Sequence, residues 1–292
     1  MNISKRKAFI LLSMTVVSWG LTWVAAKIIV REITPVWFSA FRYLIVLGVT
    51  GLLLLAAGRM TLPRKGDLLV ILVVGLFSMT CCSVFMAAGV QFVPVGRSVV
   101  LGYTSPLWVT PGAWLFLREP LPKRRLIGIV LGIIGIIILC DPQAMLAGQG
   151  FAPLGYLFLL LNALSFAVAI LYIRKHTWVA TPFQNLFWQA LLASILLNIM
   201  ALVLEGRPDF SPSPLTVLAL LHCSIPGAVL AFWAMNVVNS CLPATTTSLC
   251  VLATPVFGII FSTMFLGEQI DLSLIIAVFL ILGGIALGTI KT

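Results

Sequence analysis

Residues 104–119 read TSPLWVTPGAWLFLRE, an apolar run with Pro106 near the middle of a longer hydrophobic segment and Glu119 at its end. Pro106 lies twelve positions after Pro94, about 18 Å of helix at 1.5 Å per residue. In a hydrocarbon layer about 30 Å thick that depth is near the middle. A proline there removes one backbone hydrogen bond and crowds the carbonyl four residues back, here that of Gly102. The same arrangement recurs at Pro255, whose proline faces the carbonyl of Val251. Lipid offers no water to a freed carbonyl, so a partner, a cavity or a ligand must satisfy it. The adjoining Thr104, Ser105 and Thr254 are candidates for that task. A simple structural kink and a cavity-lining kink are both compatible with the pattern.

Composition extends this reading to the whole chain. Of its 292 residues 61% are hydrophobic and only 9% charged, with mean hydropathy +1.16. Soluble domains carry about 25% charged residues, so lipid must be the solvent for most of this surface. Ten apolar segments are predicted, at 8–28, 35–57, 67–89, 94–117, 124–140, 152–173, 182–204, 215–237, 243–266 and 271–290. Most reach the ~17–25 residues that span a bilayer as helix, and no alternating pattern favours a barrel. The fold class expected is an all-α integral membrane protein, one membrane domain over residues 1–292. Lys5-Arg6-Lys7 before the first run resembles a signal peptide, but the run exceeds an h-region of about 7–15 residues and contains Trp19 and Trp23. It is read as a retained first span. The six cysteines show no metal-ligand spacing and are read as small buried hydrophobes; no cofactor or metal is expected.

The net charge of +10 has a topological explanation rather than a nucleic-acid partner. Lysine and arginine collect in cytoplasmic loops. With the N-terminus inside, thirteen of the 18 basic residues fall on that side: Lys5, Arg6, Lys7, Arg59, Arg64, Lys65, Arg118, Lys123, Arg124, Arg125, Arg174, Lys175 and Lys291. The opposite side holds Lys27, Arg31, Arg97 and Arg207, and Arg42 lies inside a span. This predicts a multi-pass protein of the plasma or inner membrane with both termini cytoplasmic.

The chain also repeats itself. A shift of 149 aligns Pro94 with Pro243, Pro106 with Pro255, Phe116-Leu117-Arg118-Glu119 with Phe265-Leu266-Gly267-Glu268, and Gly135-Ile136 with Gly284-Ile285. A shift of 147 aligns Ser18 with Ser165, Lys27 with Arg174 and Pro35 with Pro182. Repeat one is placed at about 7–140 and repeat two at about 152–290. Five spans per repeat is odd, so the second copy must enter from the opposite side. The loop after Glu119 carries Lys123-Arg124-Arg125, whereas the stretch after Glu268 has Asp271 and no base. Ten transmembrane helices as two inverted-topology five-helix repeats are therefore expected, a plan that places substrate sites near the midplane between the halves.

These features together resemble the drug/metabolite transporter superfamily, in particular its EamA-type members. The residues that carry the resemblance are Ser18-Trp19-Gly20 with Lys27 in the first span, and Pro35 with Phe41-Arg42-Tyr43 in the second. The mid-helix prolines and terminal Leu-x-Glu of the fourth and ninth spans add to it, as do the glycine-rich fifth and tenth. The resemblance implies a carrier of small metabolites, often an exporter, working by alternating access. In the second half Phe166-Ala167 replaces Trp-Gly and Gln189 replaces the arginine, so the halves need not contribute equally.

Candidate substrate-binding residues are Trp19, Trp23, Arg42, Tyr103, Ser105, Pro106, Trp108, Gln189, Asn236, Thr254 and Pro255. Trp19, Trp23 and Lys27 recur every fourth residue and form one helical stripe, either packing between helices or walling a passage. Trp37 fits an interfacial aromatic belt. Arg42 lies about 10 Å inside the second span, where a charge defaults to a functional role unless it snorkels or pairs, for instance with Glu32. No Asp or Glu falls at mid-depth in any span. That disfavours proton-carrying carboxylates and cationic drugs, and favours carboxylated substrates such as amino acids. His222 is the intramembrane histidine, and Asn162 and Asn239 either line a passage or bridge helices. Gly128/Gly132 and Gly284/Gly288 are small-xxx-small pairs, suited to packing within the chain or to a homodimer.

A membrane-embedded enzyme needs convergent catalytic groups such as His-Glu-x-x-His or paired midplane aspartates, and the sequence contains none. An exporter of cationic or aromatic drugs is the other alternative. The partners expected are a small-molecule substrate and the lipid bilayer.

Overall fold

The computed structural model describes residues 4–140, 151–208 and 210–289, which are helical throughout apart from turns and connections. Helices α1 (Lys5–Ile29) and α2 (Pro35–Ala56) are followed by α3 (Leu68–Val73) and α4 (Cys82–Phe92), then α5 (Val95–Gly102), α6 (Ser105–Leu117) and α7 (Lys123–Cys140). The second half has α8 (Ala152–Lys175), α9 (Pro182–Leu204), α10 (Pro214–Ser224), α11 (Ala231–Cys241), α12 (Ala244–Val251), α13 (Thr254–Leu266) and α14 (Leu272–Thr289). A π-helical segment, Val74–Cys81, joins α3 to α4, and another, Ile225–Leu230, joins α10 to α11. Among the described residues, fourteen helices thus form ten membrane-crossing units.

Among the described residues, eight helices are long and apolar enough to cross a membrane by length and composition alone. The remaining two units have local reasons for falling short. The fourth has its hydropathy lowered by Arg97 and by the runs Tyr103-Thr104-Ser105-Pro106 and Thr110-Pro111-Gly112, and α7 begins with Lys123-Arg124-Arg125.

Local signals set the helix starts. Proline occupies the first turn of α2, α8, α9 and α10, where its missing N–H has no intrahelical partner to lose. Thr181 and Gln184 form a reciprocal capping box at the start of α9.

The internal repeat is visible in the helix boundaries. Adding 149 to α5, α6 and α7 gives the bounds of α12, α13 and α14. Arg118 (φ 55°) and Gly267 (φ 69°), 149 apart, both end their helices in the left-handed region. The copies run in opposite directions. Helix α1 starts at Lys5 on one face, whereas α8 ends there, with the ring of His176 2.8 Å from Asp67. The start of α8 lies on the other face, where Phe151 and Phe92 have ring centroids 5.7 Å apart. The two surfaces are called here the Lys5 face and the Ile29 face. Helix α1 starts and helix α14 ends on the Lys5 face, where Gly288 approaches the Arg125 side chain.

The halves interleave. Helix α2 packs on α9, α7 on α14, α4 on α8 and α1 on α13. The α7–α14 contact is backbone to backbone: a Cβ added to Gly128 would lie 2.4 Å from the Gly284 carbonyl oxygen, and the reverse is equally close. The glycine faces are thus occupied inside the chain. Large apolar side chains such as Met14, Leu52, Val203 and Phe279 point outward, the surface expected where lipid is the solvent.

Candidate functional site

Two broken spans and two π-helical segments meet around a cavity of about 420 Å³ between the repeats. The kinks expected from sequence are, in the structure, interruptions of the α-helical ladder. At Tyr103-Thr104 and Leu252-Ala253 the α-helical ladder gives way to a tighter turn, so Pro106 and Pro255 sit in the first turn of a new helix, where proline is tolerated. Tighter bonds hold the first break: Thr104 N–H and its hydroxyl both donate to Leu101 O (3.0 and 2.6 Å), and Leu107 N–H donates to Thr104 O (2.8 Å). Thr104 therefore serves Leu101, not the Gly102 carbonyl.

The π-helical segments are the second device. Thr80 Oγ1 donates to Gly75 O, five residues back, at 2.8 Å. The wider turn brings Val74, Ser78 and Met79 to the cavity from the first half, and Gly227 and Ala228 from the second. Such segments occur often at functional sites.

Of the residues predicted to bind substrate, Trp19, Trp23, Arg42, Tyr103 and Ser105 line this cavity. Trp19 Nε1 donates to Gly227 O at 3.1 Å, fixing its ring against the second-half π segment. Trp23 lies over the first break, so close that a Cβ on Gly102 would sit 2.3 Å from its ring. Arg42 reaches the cavity half-buried, its guanidinium carbon 5.6 Å from the Tyr43 ring centroid. Its buried Nε has no hydrogen-bond partner among the described residues. The pairing with Glu32 does not form. Glu32 accepts from Ser213 N–H (2.7 Å) and hydroxyl (2.8 Å) at the Ile29 face. Those two bonds, with Thr216 adding to them, hold the Glu32 carboxyl below its usual range.

Pro106, Trp108, Gln189, Asn236, Thr254 and Pro255 stand outside the cavity wall. Trp108 Nε1 donates to Thr104 Oγ1 at 3.4 Å, and Asn236 Nδ2 donates within its own helix to Phe232 O at 2.9 Å. Gln189, the repeat counterpart of Arg42, is buried against Gly75. Thr254 and Pro255 are buried at the second break. Trp37 is likewise buried rather than lipid-facing, and its Nε1 donates to Gly206 O at 3.1 Å. His222 contacts Ser18 O at 3.2 Å.

Sequence reasoning passed over most of the apolar wall: Met79, Met86, Leu186, Phe232, Met235 and Val251. In a chain this hydrophobic, their residue types look the same whether they face lipid or a cavity. Asn162 had a signal, being a polar group at mid-span. Its Nδ2 donates to Cys82 O at 2.8 Å, placing the amide in the wall. Among the described lining residues there is one formal charge, that of Arg42, and no carboxylate.

The cavity is closed toward the Ile29 face. Ala26, Ile29, Phe38, Val90 and Val99 beyond it are fully buried. Lys27 Nζ donates to Val90 O, Gln91 O and Val93 O, and the Glu268 carboxylate accepts from Val95 N–H (2.7 Å) and Gly96 N–H (2.9 Å). Toward the Lys5 face the wall continues through Leu186, Ser78 and Met235.

The sequence profile described as the EamA-like transporter family matches residues 6–140 and again 153–290, one match per repeat. The chain is 26% identical over 283 residues to the transporter YoaV of Bacillus subtilis, covering 96% of this chain and 95% of that one. It is 25% identical over 292 residues to a "Probable amino-acid metabolite efflux pump" of Salmonella typhimurium, covering 97% and 94%. An Escherichia coli protein of the same description is 24% identical, covering 91% and 89%. A solved crystal structure shares the fold with a TM-score of 0.68 at 19% identity over 98% of each chain.

Proposed function

The chain belongs to the EamA-like transporter family, and from that premise we propose that it is a secondary carrier exporting small carboxylated metabolites such as amino acids. It works by alternating access of the central cavity to the two faces. The observation that carries the substrate class is Arg42. Its guanidinium reaches a largely apolar cavity in which no described lining residue is an acid. A charge at this depth is costly without a partner, and a substrate carboxylate supplies one in the bidentate geometry arginine favours. Trp19, Trp23, Phe232 and the methionines offer the rest of the substrate an apolar, adaptable surface. The efflux-pump description of the enterobacterial relatives supports the same class and the outward direction.

In this reading the Lys5 face is cytoplasmic, because the basic loops collect there. The protein resides in the plasma or inner membrane. A homodimer would have to use surfaces other than the Gly128–Gly284 contact.

The test is uptake into proteoliposomes of the purified protein, with labelled amino acids, organic acids and cationic dyes, with and without a pH gradient. Saturable transport of carboxylated compounds supports the proposal. Preference for cationic dyes overturns the substrate class, and an intact protein that transports nothing in the panel overturns the carrier assignment for these compounds.

A further inference from the structure

The repeat relates two acid–base pairs that are in different states. Glu119 and Glu268 are 149 residues apart and leave their helices in the same way. Each follows a left-handed residue, and their backbone N–H groups donate to Ala113 O (3.2 Å) and Ser262 O (3.4 Å), again 149 apart. Lys27 and Arg174 are related by 147.

On the Ile29 face, Lys27 and Glu268 straddle the corner at Val93-Pro94 between α4 and α5. The ammonium holds the carbonyl ends of α4, and the carboxylate holds the first amides of α5. This joins α1 and α13, from opposite halves, on the Ile29 side of the cavity. The corresponding corner on the Lys5 face is Leu242-Pro243, between α11 and α12. There the described partners of Glu119 are Arg125 and Arg174, at 3.5 and 3.6 Å. The acid and base that would straddle the corner are instead engaged loosely with each other.

Taking the carrier reading as its basis, we infer that these pairs are alternating latches. The structure has the Ile29 face latched by Lys27 and Glu268 and the Lys5 face released. In the opposite conformation Glu119 caps the amides of Ala244 and Thr245, Arg174 holds the carbonyl end of α11, and Glu268 and Lys27 let go. The device suits a symmetric mechanism. The helix ends it seals carry unpaired amides and carbonyls in either state, and charge-assisted bonds to them are strong when water is excluded. Each half supplies the base of one latch and the acid of the other, so closing one face and opening the other exchanges equivalent bonds at little net cost.

Two measurements on the full-length protein in sided proteoliposomes test this, and neither needs a transported substrate. The first follows Cys82, the thiol in the cavity wall, with a membrane-impermeant thiol reagent applied from each side, the other cysteines being replaced. Labelling of the parent should favour the Lys5 face. Glu268→Gln should shift the ratio of rates toward the Ile29 face by roughly tenfold or more, the scale of one lost charge-assisted bond, and Glu119→Gln should not. Equal shifts in one direction, or none in either variant, overturn the inference.

The second measurement survives poor folding of those variants. Glu268→Cys with Val95→Cys, and separately Glu119→Cys with Ala244→Cys, are treated with a short bifunctional thiol reagent. Both pairs should bridge, the second as the protein visits its other state. A second pair that never bridges where the first does overturns the latch. The carrier reading is left to the uptake assay, so the two can fail separately.

Discussion

In the proposed carrier, Arg42 is the residue on which substrate recognition turns. Its guanidinium faces the cavity, and no lining carboxylate neutralises it. Arg42→Ala should therefore insert and fold but lose uptake of carboxylated substrates by roughly tenfold to a hundredfold, the equivalent of about 1.5–3 kcal/mol for a hydrogen bond to a charged group. Parallel measurement of uptake and of the folded fraction in detergent checks this; normal uptake would remove Arg42 from the site. Arg118 is informative in another way. At φ 55° it adopts the conformation that its repeat counterpart Gly267 adopts at 69°. Left-handed geometry costs a non-glycine residue about 1–2 kcal/mol, so Arg118→Gly should raise the midpoint of thermal unfolding. An unchanged or lower midpoint would show that the arginine side chain compensates for its backbone.

The elements divide into those that hold the repeats together and those that shape the cavity. Among the first, α7 and α14 meet at Gly128 and Gly284, while Gly283 beside them has open space around a built Cβ. Gly284→Ala should destabilise by about 1–3 kcal/mol through overpacking. Gly283→Ala should be neutral or stabilising, since alanine exceeds glycine in helix propensity by about 1 kcal/mol. Thermal unfolding of the two variants in one detergent compares them directly. On the Ile29 face, Glu32 ties the α1–α2 connection to the start of α10. Its folded carboxyl titrates below its unfolded value. The stabilisation it contributes is therefore complete above the unfolded pKa and is lost as pH falls through the folded one. The stability difference between wild type and Glu32→Gln should be largest at neutral pH and shrink in acid; a difference that is flat with pH would contradict the assignment. On the Lys5 face, Asp67 accepts from His176, Val179, Ala180 and Asn185 and ties the first repeat to the α8–α9 connection. The cavity-shaping elements are the two breaks and the two π-helical segments, and they are repeat-related too.

For the whole molecule, orientation is the quantity to measure. Reporter fusions ending after Lys175 should register as cytoplasmic and those ending after Arg207 as external, because the basic loops mark the Lys5 face as the inner one. The reverse pattern would invert the direction of transport.

Much of the architecture was legible before any coordinates. Hydropathy set the spans, since a chain with 9% charged residues has no other solvent for its surface than lipid. Pro106 and Pro255 with Glu119 and Glu268 set the repeat, and its odd number of spans together with the loop charges required the inversion. Five of the eleven candidate binding residues, among them Arg42 and the Trp19–Trp23 stripe, reach the cavity. Three-dimensional packing decided the rest. Lipid and protein interiors select the same apolar side chains, so composition cannot tell that Met86 and Phe232 face a cavity while Met14 and Phe279 face outward. Sequence also cannot show which of two equivalent latches is shut. Glu119 and Glu268 are followed along the chain by nearly the same local structure, and only the position of the opposing helix end determines that one caps it and the other does not.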